Sequence, residues 1–137
     1  MVEEERIVGI NALIAAAGFP HSFVQFEDFP LGVDGNTEWI GRHPYARVAR
    51  RLADHEAEAT ALHEVSHWLL GHEDDPGYVE AIAKDRAEGT DKHRAPWERA
   101  ANARARDLIR ELADGMSDAE ASIAYLIEDD GHYASSV

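Results

Sequence analysis

Residues 61–73 read ALHEVSHWLLGHE, with three histidines and two glutamates in one short apolar stretch. On an α-helix, residues four apart share a face, so His63 and His67 project side by side and can bind one metal ion. Glu64 lies one position further round, where its carboxylate can reach a water on that metal rather than the metal itself. This H-E-x-x-H arrangement predicts a helix that turns polar side chains toward a metal site, and its chemistry is that of a zinc hydrolase.

A catalytic zinc ion needs a third protein ligand and an open fourth position. The longer pattern H-E-x-x-H-x-x-G-x-x-H fails, because Leu70 and Glu73 stand where its glycine and last histidine should be. Glu73 could bind only from a turn shaped to bring it back. Glu98 is the other carboxylate, in the first turn of a later predicted helix, with Asn102 one turn further on the same face. The chemistry alone leaves both glutamates open, and it also leaves open that the two histidines face solvent.

The stretch HEVSHWLLGH, followed by ERAAN at 98–102, resembles the signature of the ImmA/IrrE-type metallopeptidase family. The matching positions are His63, Glu64, His67, Gly71, His72, Glu98, Ala101 and Asn102. The resemblance implies one Zn²⁺ ion per chain, bound by His63, His67 and Glu98 as in gluzincins, with Glu64 as the catalytic base. Members of this family are small cytoplasmic zinc proteases with a compact α+β fold, found in bacteria, mobile elements and phages.

Several members cleave, or are thought to cleave, repressors with helix-turn-helix DNA-binding domains. The resemblance therefore implies a zinc-dependent endopeptidase that makes a limited cut in a specific protein, such as a transcriptional repressor. The alternative is a non-proteolytic anti-repressor or toxin–antitoxin-like binding module that keeps the zinc fold. Glu64 argues against this alternative, since a binding module has no use for a proton shuttle. A third alternative is a purely structural metal ion.

Four further residues are candidates to support a ligand or to contact substrate: His72, Asn102, Tyr78 and His93. Gly71 can turn the chain just past the ligands and bring His72 toward them, and Asn102 can hydrogen-bond a ligand or a substrate. Tyr78, His93 and Tyr125 are unranked candidates for stabilising a developing oxyanion. For each of these residues the alternative is ordinary packing or surface exposure.

The hydrophobic pattern predicts an α+β fold, with an N-terminal helix, a small β-sheet and a helical remainder that carries the H-E-x-x-H helix and a second ligand helix. The predicted elements are a helix over 3–17, a strand within 21–29, two short strands around a turn at 34–36 and a long helix over 51–70 ended by Gly71. Pro44 marks a predicted boundary. Residues 73–92 should hold at most a short helix near 79–84. Pro96 suits the first turn of the next helix, and Ser117 with Glu120 predicts a capping box for a last helix through about residue 127.

The chain carries 27 acidic and 13 basic side chains, a formal net charge of −14. Direct binding to nucleic acid or to an anionic membrane is therefore not expected, because phosphate contacts need clustered lysine and arginine. The absence of cysteine excludes disulfides and thiolate zinc sites. An acidic start, MVEEER, and the lack of a long apolar run predict a cytoplasmic protein. We expect residues 1–137 to form a single metallopeptidase-like domain, with about 128–137 as a flexible tail.

Overall fold

The computed structural model describes residues 2–135, and its elements follow the predicted order of an N-terminal helix, a small sheet and a helical remainder. The α+β fold is therefore confirmed. The elements are α1 (Glu3–Ala16), β1 (Val24–Glu27), β2 (Gly35–Ile40), β3 (His43–Ala49), α2 (Asp54–Leu70), α3 (Pro76–Glu88), α4 (Ala95–Glu111) and α5 (Ala119–Ser135), with short 3-10 turns at His72–Asp74 and Ala113–Gly115. No helix within the described range is both long enough and apolar enough to cross a membrane.

β3 is the central strand of the sheet, whose order is β1-β3-β2. β1 runs parallel to β3, with Val24 opposite Ala46, whereas β2 runs antiparallel, with Thr37 opposite Ala46. Ala46 and Val48 of β3 are fully buried in the core, as the alternation of a strand with one covered face requires. β2 lies at the edge, so one row of its backbone N–H and C=O groups has no partner strand among residues 2–135.

The prediction of two short strands around a turn at 34–36 is wrong. That segment forms the single strand β2, and the chain reverses at Gly41, where φ is +59°. Pro44, the predicted boundary, instead lies inside β3. It is tolerated there because β1 pairs with β3 only from Ala46 onward, so Pro44 has a neighbouring strand on one side only.

α2 packs against α1, α4, α5 and the sheet. Small side chains allow this close packing, because Ala57, Ala59 and Ala61 are fully buried and let neighbouring backbones approach. Leu62 fills the core beside them. The helix ends at Gly71 in the left-handed conformation, with φ of +67°, as predicted. Contact with so many elements fixes the orientation of the helix that carries the H-E-x-x-H motif.

α3 replaces the short helix predicted near 79–84 and is longer at both ends. Its N-cap is Asp75, whose carboxylate accepts a 2.9 Å hydrogen bond from the Gly77 N–H. Gly77 makes the sequence resemble a loop, yet it lies against Trp97, where a Cβ would come within 3.0 Å of the ring and force the ring to shift. Of the residues that the structure describes, none in α3 belongs to the main hydrophobic core. The helix is therefore an outer wall rather than part of the core.

The last helix differs from its prediction at both ends. Ser117 is not the N-cap; its hydroxyl donates to Glu58, while the Asp118 carboxylate accepts from the Ala121 N–H at 3.0 Å. The helix also continues to Ser135, so residues 128–135, which the sequence predicts as a flexible tail, are helical. Polar side chains of its last turns bond to α4, as described below. Residues 136 and 137 lie outside the described range.

Candidate metal centre

Three ligand atoms converge between α2 and α4: Nε2 of His63, Nε2 of His67 and Oε1 of Glu98. The two nitrogens are 3.1 Å apart, and Oε1 of Glu98 lies 2.6 Å from His67 and 3.8 Å from His63. The three side chains are only 12%, 9% and 11% exposed. Tetrahedral zinc with bonds of about 2.05 Å holds its ligand atoms about 3.3 Å apart. The three residues therefore fit a metal ion with little rearrangement.

The helices explain why these side chains meet. His63 and His67 lie one turn apart on α2, and Glu98 lies in the first turn of α4, which packs directly against α2. Among the residues that the structure describes, this trio is the group of histidine and acidic side chains close enough to hold a metal ion. Glu73, the other carboxylate considered from sequence, lies in the 3-10 turn after α2 and is not part of the group.

His63 is oriented by a side chain of α4. Its Nδ1 lies 2.7 Å from Oδ1 of Asn102, and Nδ2 of Asn102 donates at 2.9 Å to Oδ2 of Asp129 on α5. An amide oxygen can only accept, so Nδ1 of His63 must carry a proton, and Nε2 is the nitrogen that can give up its proton to a metal ion. The network thus favours the neutral tautomer that a metal ion requires, and Asn102 contacts a candidate ligand, as its predicted supporting role would need.

His67 is oriented by His72. Gly71 reverses the chain after α2, and Nδ1 of His72 comes to 2.8 Å from Nδ1 of His67. Burial, followed by the nearby charge of His67, lowers the pKa of His72. A neutral His72 can accept the Nδ1 proton of His67, which leaves Nε2 of His67 free to bind a metal ion.

Two tyrosines contact the carboxylate of Glu98. The Tyr78 hydroxyl donates to Oε1 at 3.2 Å, and the Tyr133 hydroxyl donates to Oε2 at 3.1 Å. Burial, followed by the charge of Glu98, raises the pKa of both hydroxyls, so both are protonated donors at neutral pH. Tyr78 was predicted as a candidate. Tyr133 was not, because the sequence around it predicts a frayed end.

The charges of the centre favour one bound cation. Burial alone would lower the pKa of His63, but its hydrogen bond to Glu98 and the charges of Glu98 and Glu64 raise it to about 9. Burial alone would raise the pKa of Glu98, but His63 and His67 hold it well below its ordinary value. The carboxylates thus attract positive charge to the imidazoles, and a metal ion would replace a proton there.

Glu64 is held from the opposite side by the sheet. The Thr37 hydroxyl, on β2, donates a 2.7 Å hydrogen bond to Oε1 of Glu64 and accepts one of 2.9 Å from Nε1 of Trp68. Glu64 is only 7% exposed. Its second carboxylate oxygen makes no hydrogen bond within residues 2–135, so one oxygen is fixed and the other is available. No spacing in the sequence links Thr37 to the motif.

The remaining predicted candidates lie differently. The ring of His93 pairs with Glu88 at 2.9 Å near the end of α3, so the structure does not bring it to the metal ligands. The Tyr125 hydroxyl donates to Asp34 and lines a cavity beside the centre. Of the three predicted oxyanion candidates, Tyr78 contacts a proposed metal ligand, which is Glu98. Tyr133, which was not predicted, contacts the same carboxylate.

Two cavities open beside the centre, and both include Glu64 and Glu98 in their walls. Cavity 1, of about 350 Å³, runs along β2 and is closed by α3, with Trp39, Trp68, Val79 and Ile82 among its wall residues. Cavity 2, of about 320 Å³, lies toward α5 and includes Tyr125, Asp129 and Tyr133. The candidate centre therefore has accessible space on two sides.

We compared the chain with protein-family models, with curated proteins and with solved structures. No match was found in any of the three. The resemblance to the ImmA/IrrE-type family therefore stays a prediction carried by its motif residues.

Proposed function

We propose that this chain is a zinc-dependent endopeptidase that makes a limited cut in a specific protein. The observation that carries the proposal is the placement of Glu64. This buried carboxylate lies beside the three ligand atoms, is bound at one oxygen by Thr37, and lines both cavities. A purely structural metal site has closed coordination and gives no role to such a group. A hydrolytic site requires a base at this position.

The donor set supports zinc as the metal. Two neutral imidazoles and one carboxylate are ligands that zinc accepts readily in catalytic sites. A bound zinc ion would lower the pKa of a water molecule toward neutrality and polarise a carbonyl oxygen. His72 and Asn102 would keep the two imidazoles in the required tautomer.

Glu64 would serve as the general base and then as the general acid. Thr37 occupies Oε1, which leaves Oε2 to accept the proton of the water that attacks the carbonyl carbon. The carbon–nitrogen bond then breaks, and Glu64 returns the proton to the leaving nitrogen. Tyr78 and Tyr133 are protonated, and each donates its one hydroxyl proton to Glu98, so stabilising the developing oxyanion would require one of them to turn away from that carboxylate.

The fold offers a surface suited to an extended peptide. β2 is an edge strand, and Gly35, Thr37 and Trp39 of this strand line cavity 1 beside Glu64. An extended peptide can pair with the free backbone groups of an edge strand while its side chains enter neighbouring pockets. This arrangement favours a polypeptide substrate over a small compact one.

The substrate that we propose is a helix-turn-helix transcriptional repressor, on the basis of the ImmA/IrrE-type resemblance. The net charge of −14 would favour approach of a basic DNA-binding protein. The same resemblance supports a reaction in the cytoplasm of a bacterium, in a phage or mobile-element system.

The proposal is tested by measuring zinc content and cleavage in parallel. Purified wild-type protein should contain about one zinc ion per chain, and Glu98→Ala should lose it. Wild type should cleave a repressor encoded beside its own gene, or unfolded casein as a general probe. Glu64→Gln should retain zinc but lose cleavage.

Each contrary result has a definite meaning. No zinc in the wild type, even after zinc is added, would overturn the metal-centre assignment. If Glu64→Gln retains zinc and still inactivates the repressor as wild type does, the binding-module alternative is favoured. Unfolding in chelator without hydrolysis of any probe would favour a structural metal ion.

A further inference from the structure

Arg94 lies where the two cavities meet. Four of the described residues line both cavities: Gly35, Glu64, Arg94 and Glu98. Arg94 is the only one of the four that carries a positive charge. A substrate that extends through both cavities would therefore pass this guanidinium next to the proposed base and the proposed third ligand.

A buried carboxylate fixes the position of Arg94. Nε of Arg94 donates at 2.9 Å to Oδ2 of Asp85, whose side chain is fully buried. The backbone N–H groups of His93 and Arg94 also donate to this carboxylate, at 2.9 and 3.1 Å. Burial alone would raise the pKa of Asp85, but the hydrogen bonds from Arg94 and the backbone lower it, so the anchor is ionised. This contact holds the guanidinium by one edge.

The other edge of the guanidinium is available. Nη1 and Nη2 of Arg94 make no hydrogen bond within the described part of the chain, and the side chain is 29% exposed. The surrounding walls carry more acidic than basic side chains: Glu38 and Glu73 against Arg86 in cavity 1, and Asp34, Asp91 and Asp129 in cavity 2. A second carboxylate entering the junction would be repelled by these groups, whereas a neutral carbonyl oxygen would not. The charge distribution therefore favours a backbone carbonyl as the partner of Arg94.

We propose that Arg94 is a substrate-binding residue, which donates from Nη1 or Nη2 to a backbone carbonyl oxygen next to the cleaved peptide bond. Asp85 is its positioning residue, because it acts on substrate only through Arg94. The inference rests on the proposed peptidase function, since it assumes that a peptide occupies the junction. It adds to that function by naming the group that aligns the peptide backbone.

The test compares hydroxamate probes on zinc-loaded protein. Acetohydroxamate binds zinc and carries no peptide bond. Two longer probes extend from the hydroxamate in opposite directions: acetyl-Ala-Ala-NHOH and HONH-CO-CH₂-CO-Ala-Ala-NH₂. Their dissociation constants are measured by calorimetry for wild type, Arg94→Gln, Arg94→Lys and Arg86→Gln. Arg86 is the matched control, because it also lines cavity 1 but is exposed and has no buried anchor among the residues that the structure describes.

We expect Arg94→Gln to weaken at least one longer probe about tenfold or more, as the loss of one hydrogen bond from a charged donor implies. Acetohydroxamate binding and zinc content should not change, which would show that the site is still folded. Arg94→Lys should not restore binding, because one ammonium group cannot contact Asp85 and the probe in the same fork geometry. Asp85→Asn should weaken the same probe, and adding it to Arg94→Gln should bring no further loss. Arg86→Gln should match wild type.

Three results would overturn the inference while leaving the proposed function intact: all probes bind Arg94→Gln as they bind wild type, all three weaken equally, or the longer probes bind wild type no better than acetohydroxamate. Tighter binding of HONH-CO-CH₂-CO-Ala-Ala-OH than of its amide, lost in Arg94→Gln, would also overturn it by making a carboxylate the partner. Failure of zinc-loaded wild type to bind any hydroxamate would instead contradict the proposed function, and the inference would fall with it.

Discussion

Thr37 and Glu64 are 27 positions apart in the chain, yet the Thr37 hydroxyl donates a 2.7 Å hydrogen bond to Oε1 of Glu64. The contact joins the edge strand of the sheet to the motif helix. It fixes one oxygen of the proposed base and reserves the other for a proton. The donor is itself oriented, because Trp68 donates to the same hydroxyl.

Thr37→Val should reduce kcat on a peptide substrate by about tenfold to a hundredfold, since the Glu64 carboxylate loses the hydrogen bond that it accepts from the Thr37 hydroxyl. Zinc content should stay at the wild-type value, because Thr37 contacts none of the three proposed ligands. Steady-state kinetics and metal analysis on the same preparation test both statements. Thr90→Val is the control, as its hydroxyl only accepts from the Lys92 N–H at 3.3 Å in the turn before α4. Equal losses in the two variants would contradict a specific role for Thr37.

Asn102→Leu should weaken zinc binding by about tenfold to a hundredfold, because the change removes the acceptor that sets the tautomer of His63. Competition with a chromophoric chelator measures the affinity. Asn11→Leu removes a 2.8 Å hydrogen bond to the Val24 N–H, far from the ligand helices in sequence. That control should lower the unfolding temperature without changing zinc affinity. Unchanged affinity in Asn102→Leu would show that the amide does not support the metal site.

A chain ending at residue 128 should bind zinc more weakly than a chain ending at residue 135, because only the longer one retains Asp129 and Tyr133. The expected loss is about tenfold, as for other residues that support a ligand. Tyr133→Phe in the full chain removes only the hydroxyl and keeps the rest of the helix. It should therefore give part of the loss in zinc affinity. Indistinguishable affinities would mean that the last turns of α5 only pack beside the centre.

The free energy of unfolding of the metal-free protein, measured in the presence of a chelator, should fall as pH rises from about 6.5 to about 9. His63 has a folded pKa of about 9, above its ordinary value of 6.5, so its protonation stabilises the fold fully below 6.5 and not above 9. Zinc affinity should change in the opposite sense, rising roughly tenfold per pH unit over this window, because binding displaces one proton. Denaturant unfolding with chelator and zinc titration at pH 6.5, 7.5 and 8.5 measure the two trends. Glu98→Gln should flatten the stability profile, since the group that raises the pKa is gone.

The sequence predicted local features well where one stretch contains all the information. The histidine pair needs only the helical repeat, and Gly71 needs only its freedom to adopt a positive φ. Glu98 and Asn102 share a predicted helix face, but the residues alone left Glu73 open as well, and the ImmA/IrrE-type resemblance selected Glu98. The order of elements followed from where the hydrophobic pattern changes, and the structure confirms it.

The rest depends on contacts between distant segments. Thr37 meets Glu64 because a strand crosses the motif helix, and no local pattern reports this contact. Tyr133 lies in a polar stretch that predicts fraying, yet its hydroxyl bonds to Glu98. Gly77 suggests a loop in the sequence, but in the structure it lies in α3 and packs against the Trp97 ring. These errors share one cause, which is tertiary packing that overrides local propensity.

α3 forms one wall of cavity 1, through Tyr78, Val79 and Ile82, but contributes no side chain to the main core among the described residues. Val79 is 55% exposed. Substitutions at Val79 or Ile82 can therefore change the shape of the wall at little cost in folding stability, whereas the ligand helices are constrained by the core. Under the proposed peptidase function, the preference of cavity 1 for one substrate side chain over another can diverge in evolution through α3, while the proposed metal ligands stay the same.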